Sequence, residues 1–316
     1  MKLENIVLAQ KRIDSLIKKT ELRESVYFSD MIQGHLFLKL ENLQITNAFK
    51  IRGAINKLYQ ISKEQKDIIT ASSGNHGQAI ARASKELGLS AKIIIPEGTP
   101  EKKRHLIQKY GAKLLVYGKT VDQSETYGRE MARRDGKLYI SPYNDPDIIA
   151  GQGTIGLELI EQLPSLQSIL VPIGGGGLIS GVALAMKQSN PNIQVIGIQP
   201  QNDAAMYHSQ KAGKILSPDQ YPHSPTLADG LAGGIEQNSI TFSFVRKYVD
   251  QILLVKESSI KKAINLLWEK EKIIVEGAGA VGIAAILENQ SHFLKQKIAI
   301  ILSGGNINKI LFNKLI

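Results

Sequence analysis

Two packed α/β units with largely parallel sheets are predicted by three observations. Short apolar, β-rich runs alternate with segments of helical periodicity almost from end to end. The chain has 316 residues, about two domains' worth. Three polar, glycine-containing turns each close an apolar run, which is where parallel α/β sheets place ligands.

The elements follow in chain order. Residues 1–19 mix charged and apolar side chains at helical spacing and lack the unbroken apolar core of a signal peptide. LFLKL from Leu36 is the first predicted strand. Ile51, Ala54, Ile55 and Leu58 then recur at helical spacing and predict one buried stripe. DIITA from Asp67, KIIIP from Lys92 and KLLVY from Lys113 are strands separated by helical segments, within a compact unit expected over 66–143. SILVPI from Ser168, IQVIGI from Ile193, QILLV from Gln251 and KIAIIL from Lys297 complete eight strands. The remaining residues, 1–65 and 144–316, are expected to form a larger, discontinuous domain. The Pro- and Gly-rich stretch Ser217–Gly234 is the main irregular segment, and long loops inside compact domains are often functional.

Composition narrows the function classes. Without cysteine, disulfides, thiolate metal sites and a cysteine nucleophile are excluded. The six histidines are dispersed without an H-x-x-x-H pair, so no metal site is expected. No G-x-S-x-G elbow is present, which argues against an α/β-hydrolase. The formal charge is +10, yet the lysines are scattered without basic runs or interleaved aromatics. That reads as a solvated surface, and a basic nucleic-acid-binding protein is the less favoured alternative from another class. No stretch is long and apolar enough for a membrane span. A cytoplasmic protein acting on a small molecule, with neither nucleic-acid nor membrane partners, is expected.

The three turns differ in what they can hold. Ser72-Ser73-Gly74-Asn75-His76-Gly77 opens a helix whose first N–H groups lack internal partners, a place for a carboxylate. Gly174, Gly175, Gly176 and Gly177 let backbone N–H groups close around a phosphate without Cβ obstruction. No Lys-Ser/Thr follows them, the spacing is not G-x-G-x-x-G, and the next strand ends in Gln199 rather than an acidic residue, so a nucleotide is not expected. Ser303-Gly304-Gly305-Asn306 closes the last strand.

Lys50 falls in the first turn of a predicted helix, between Phe49 and Ile51. The helix dipole and apolar flanks both disfavour its charge and leave more neutral, nucleophilic amine. Arg52 is expected to point elsewhere, in a structural role. An amine, a phosphate cradle and a carboxylate-binding turn together suit pyridoxal phosphate held as a lysine imine and acting on an amino acid.

The sequence resembles fold type II pyridoxal-phosphate enzymes, in their threonine dehydratase and serine racemase branch. Seven segments match in order: Ala48–Ala54, Ser72–Gly77, Ala150–Thr154, Gly174–Gly177, Ala228–Gly230, Glu276–Ala280 and Ser303–Asn306. The resemblance implies two open, largely parallel twisted sheets with helices on both faces and the site in the cleft between them. It implies that Lys50 carries the cofactor and removes the substrate α-proton, and that Asn75 bonds the ring oxygen and Ser303 the ring nitrogen. Phe49 and Glu276 count among the cofactor-binding residues. A neutral hydroxyl at the ring nitrogen discourages transamination but leaves β-elimination open. Ser72, Ser73 and the backbone of Gly74, Asn75 and His76 would hold the substrate carboxylate. Ser73 also matches the serine that serves as opposite-face acid/base in racemases of this group.

The expected activity is therefore an L-threonine or L-serine ammonia-lyase. The alternatives are a serine or aspartate racemase-type enzyme and a dehydratase of another β-hydroxy amino acid such as hydroxyaspartate. Tyr143 falls where dehydratases tend to have Phe and racemases Asn, as an aromatic wall facing the substrate side chain. Ala48 stands where serine is common. The cation-binding racemases carry an acidic pair where this chain has Gln199 and Ala205, with only Asp203 between them, so that Mg/Ca site is expected to be absent or changed. The chain ends soon after Asn306, so feedback control through an appended regulatory domain is not expected. Members of this family are commonly dimers or tetramers, and a homo-oligomer is expected.

Overall fold

The computed structural model describes residues 1–61 and 67–316. The strands among them are β1 (Leu22–Glu24), β2 (His35–Lys39), β3 (Asp67–Ala71), β4 (Ser90–Ile95), β5 (Lys113–Val116), β6 (Leu138–Tyr139), β7 (Ser168–Pro172), β8 (Gln194–Pro200), β9 (Gln251–Val255) and β10 (Lys297–Ile301). The α-helices are α1 (Leu3–Ile13), α2 (Val26–Ile32), α3 (Lys50–Tyr59), α4 (Asn75–Leu87), α5 (Glu101–Gln108), α6 (Val121–Arg134), α7 (Pro146–Gln162), α8 (Gly177–Ser189), α9 (Ala205–Ala212), α10 (Ile240–Tyr248), α11 (Glu257–Glu271), α12 (Gly277–Glu288) and α13 (Lys309–Leu315). All eight predicted strands form. The expected domain junction at 65/66 lies outside the described residues.

The strands make two sheets. One has six strands in the order β1-β2-β10-β7-β8-β9, parallel except for the antiparallel β1–β2 pair. The other has four parallel strands in the order β5-β4-β3-β6. The six-stranded sheet thus draws on both ends of the chain, and the four-stranded sheet on the stretch between Asp67 and Tyr139.

Strand alternation explains why helices cover both faces. In β7 and β10, Leu170, Ile298 and Ile300 point into a core shared with Ile264, Leu267 and Val281 of α11 and α12. Their neighbours Ile169, Val171, Ala299 and Ile301 point the other way, onto Ile155, Ile179 and Val182 of α7 and α8. The small sheet repeats the arrangement. Ile68, Ile93 and Ile95 meet Ala79, Ile80 and Ala83 of α4, whereas Ile69, Ala71 and Ile94 meet Met131 and Ala132 of α6.

Helix α3 departs from a simple amphipathic stripe. Ile51, Ala54, Ile55 and Leu58 are buried as predicted, but so are Arg52 and Asn56. Arg52 is fully enclosed, donating to Glu41 Oε1 and Oε2 at 2.8 Å each and to Glu158 Oε1 at 2.6 Å. Glu158 also takes the ammonium of buried Lys39, which donates further to the Thr20 carbonyl at 2.8 Å. Burial opposes the Arg52 charge, yet the two carboxylates more than offset it and hold the guanidinium above its usual range. A paired, fully hydrogen-bonded network of this kind fixes α3 against α7 and the end of β2.

Candidate active site

The carboxyl ends of β3, β7 and β10 carry the three turns, and a short pairing brings Lys50 to them. Ala48 bridges Gly304, Phe49 donates its N–H to the Ser303 carbonyl at 3.1 Å, and Gly305 donates to the Asn47 carbonyl at 2.8 Å. Asn47 takes the left-handed conformation that this tight approach requires, which asparagine tolerates better than most residues. Lys50, first residue of α3, is thereby placed beside the Ser303–Asn306 turn.

The Lys50 Nζ donates to the Pro142 carbonyl at 2.9 Å and lies 5.2 Å from the centre of the Phe49 ring. Burial lowers its pKa to about 8, with the carboxyl groups of Glu125 and Glu276 acting in opposition. The shift raises the neutral fraction of the amine above that of an ordinary lysine, the direction a nucleophile needs. Glu125 itself is pushed up to about 7 by burial and by the acidic groups of Glu236 and Asp122, against the pull of Arg129 and Lys50.

At the first turn, Ser72 Oγ accepts the Gly74 N–H at 3.2 Å, while the Ser73 hydroxyl has no partner among the described residues. His76 is buried with Nε2 3.1 Å from Thr70 Oγ1, and burial, then the Lys50 charge, pushes its pKa down to about 3. Its imidazole is neutral and turned by Nε2 toward Thr70. Asn75 Nδ2 donates to Glu276 Oε1 at 2.7 Å, and Asn75 Oδ1 accepts from Asn306 Nδ2 at 2.8 Å. Burial, reinforced by Asp229, pushes Glu276 up to about 7.

The four glycines have a steric rationale. A Cβ on Gly175 would stand 2.4 Å from the Tyr143 ring, and Gly176, with φ of 88°, sits where L side chains are strained. Among the described residues no acceptor takes the N–H groups of Gly174 to Gly177. The tyrosine ring lies against the loop and its hydroxyl accepts the Glu236 N–H at 3.0 Å. The irregular Ser217–Gly234 stretch reaches the same cleft: Leu231 packs against Gly174, and Asp229 pairs with Lys103 of α5 at 3.3 Å.

A family model described as pyridoxal-phosphate dependent enzyme matches residues 13–304, nearly the whole chain. The chain belongs to this family. Among curated relatives, the L-threonine ammonia-lyase of Thermotoga maritima is 40% identical over 316 residues, covering 99% of this chain and 78% of that protein. The L-threonine dehydratase catabolic TdcB of Escherichia coli K12 is 39% identical, covering 97% of this chain and 93% of that one. Among solved structures, maize serine racemase superposes with a TM-score of 0.93 at 36% identity, covering 99% and 96% of the two chains.

The residues present fit the pyridoxal-phosphate cofactor. A phosphate would find four unpartnered glycine N–H groups, and a carbonyl carbon would find the amine of Lys50. The buried Ser303, whose hydroxyl has no partner among the described residues, offers a neutral group to a pyridine nitrogen. Where the sequence departs from the expected acidic pair, Asp203 Oδ2 accepts the Gly233 N–H at 2.9 Å and Gln199 Oε1 the Tyr207 N–H at 2.8 Å. No group of three potential metal-ligating His, Cys, Asp or Glu side chains occurs among the described residues. Nor does any described helix have the length and apolarity to cross a membrane.

Sequence reasoning missed four contributors. Glu125 and Arg129 stand one turn apart on α6, Glu236 follows the irregular loop, and Thr241 donates its hydroxyl to the Gly175 carbonyl at 2.7 Å. Each is drawn to the cleft by contacts across long stretches of chain and carries no local motif; only the i, i+4 spacing of Glu125 and Arg129 was readable.

Proposed function

We propose that the chain is an L-threonine ammonia-lyase that also takes L-serine. The observation that carries the reading is the convergence of Lys50, its amine weakened as a base, with the unpartnered glycine N–H groups and the Ser72–His76 turn, joined through Pro142, Tyr143 and Asn75. The close kinship to named threonine ammonia-lyases supports the choice of substrate.

When bound, the cofactor supplies an electron sink that acidifies the substrate α-proton. The N–H groups of Gly174 to Gly177 would cradle its phosphate, with Phe49, Asn75, Glu276 and Ser303 around the ring. The helix start at Ser72 to His76 would receive the substrate carboxylate. Lys50 Nζ takes the α-proton, and Tyr143 bounds the space for the β-substituent. Across the reaction threonine loses its β-hydroxyl as water, and uptake of water gives 2-oxobutanoate and ammonia. The Lys103–Asp229 and Arg129–Glu236 ion pairs link the four-stranded sheet's helices to the other side of the cleft.

The division into 1–65 with 144–316 and 66–143 belongs to this reading, supported by the two separate sheets. So do cytoplasmic location and homo-oligomeric assembly, which fractionation and size-exclusion chromatography check.

Ser73 favours a second activity, racemisation, because its unpartnered hydroxyl lies on the turn that would hold the carboxylate. Incubating the holoenzyme with L-threonine and with L-serine, then assaying keto acid and D-amino acid, separates the two. The proposal expects keto acid to dominate; isomer interconversion without ammonia release overturns it.

A further inference from the structure

A single carboxylate outside the matched motifs gathers the wall of this cleft. Glu236 Oε1 accepts from Ser141 Oγ at 2.9 Å and Oε2 from Asn144 Nδ2 at 2.8 Å, two residues before and one residue after Tyr143. The backbone N–H of Glu236 meets the Tyr143 hydroxyl at 3.0 Å. Three hydrogen bonds from one residue thus straddle the tyrosine. Asn144 Oδ1 in turn accepts the Ile240 N–H at 3.0 Å, and Thr241 Oγ1 donates to the Gly175 carbonyl at 2.7 Å. The segment from Glu236 to Thr241 is therefore a strap that spaces the tyrosine wall from the glycine cradle. From the opposite side Arg129 of α6 approaches Glu236 Oε1 at 2.6 Å, with its guanidinium 4.4 Å from the centre of the Tyr139 ring.

We propose that Glu236, tethered by Arg129, is a positioning residue that sets the Tyr143 wall and thereby the preference for threonine over serine. The inference rests on the lyase reading and on Tyr143 bounding the β-substituent. Threonine differs from serine by one methyl group, and a well-placed apolar contact to one such group is worth roughly tenfold or more in selectivity. That advantage depends on where the ring stands. The ring is held through its hydroxyl and through its chain neighbours, and Glu236 supplies both holds. Releasing the carboxylate frees the Ser141 and Asn144 side chains and lets the ring drift, which removes the methyl contact, while the start of α3 that carries Lys50 stays anchored on the Ser303–Asn306 turn.

The test compares wild-type holoenzyme with Glu236→Ala, Glu236→Gln, Arg129→Ala and Arg129→Lys. The ratio of kcat/KM for L-threonine over L-serine should fall about tenfold in Glu236→Ala, mainly through a higher KM for threonine, with kcat for serine little changed. Arg129→Ala should lower it in the same direction, and Arg129→Lys should restore it. In a double-mutant cycle, Glu236→Ala and Tyr143→Phe should be non-additive, because both release the same ring. If Glu236→Ala fails to fold, Glu236→Gln and Arg129→Ala report the same ratio. A ratio unchanged within twofold in the folded variants, or additive effects in the cycle, overturns the proposal. Absence of turnover with either amino acid would overturn the lyase reading instead. The dissociation constants of L-threonine and L-serine, read from the cofactor's visible absorption, would then still report the selectivity of the wall.

Discussion

Asn75 and Glu276 meet at 2.7 Å across the cleft although 201 residues separate them in the chain. The pair joins the start of α4, on the small sheet, to the start of α12, on the large one, and its carboxyl is held protonated to an unusual degree. Because burial raises the Glu276 pKa from near 4.5 to about 7, the folded chain binds more protons than the unfolded chain between those values. The resulting stabilisation is complete below about pH 4.5 and lost by the time pH has risen through 7. Glu276→Gln, which keeps the neutral shape and the acceptor for Asn75, should stabilise the apoenzyme relative to wild type above pH 7, by up to about 3 kcal/mol. The difference should vanish near pH 4.5. Urea unfolding at several pH values measures it, and a pH-independent difference would refute the linkage.

Arg52→Ala should strip the charge partner from Glu41 and Glu158 while leaving both buried. Breaking a buried pair from one side costs about 3–5 kcal/mol. Because Arg52 sits two residues after Lys50, the expected signature is a large loss of stability together with weaker cofactor retention. Denaturant unfolding and cofactor titration check the two parts.

Gly175→Ala should act on the site without unfolding the chain. The added methyl would meet the Tyr143 ring at 2.4 Å, and relieving such overpacking costs about 1–3 kcal/mol. The ring is held by Glu236, so the glycine loop must give, and the cost should appear as a cofactor dissociation constant raised about tenfold and a higher KM for threonine. An unchanged cofactor affinity, measured by fluorescence titration, would argue against the cradle.

Much of this architecture was legible because continuous apolar runs such as KIAII and DIITA state their strand and both buried faces at once. Strands β1 and β6 were not, since three and two residues at sheet edges carry no periodic signal. The helix of Lys50 was placed correctly by its stripe, and Arg52 was assigned a structural role. Its partners Glu41 and Glu158 could not be read, since ion pairs spanning 11 and 106 residues leave no mark in local spacing. The same holds at the site. Glycine-rich turns announce themselves through composition, whereas Glu236 acquires its place only when the segment after the Ser217–Gly234 loop folds back onto Ser141 and Asn144.

The most direct test is the ammonia and 2-oxobutanoate released from L-threonine by the holoenzyme and by Lys50→Ala under saturating cofactor. The expected result is equimolar release by the wild-type protein, accompanied by a visible cofactor band, and loss of both in the variant. A wild-type protein that stays colourless and releases no ammonia, or a Lys50→Ala variant that retains full turnover, would contradict the account.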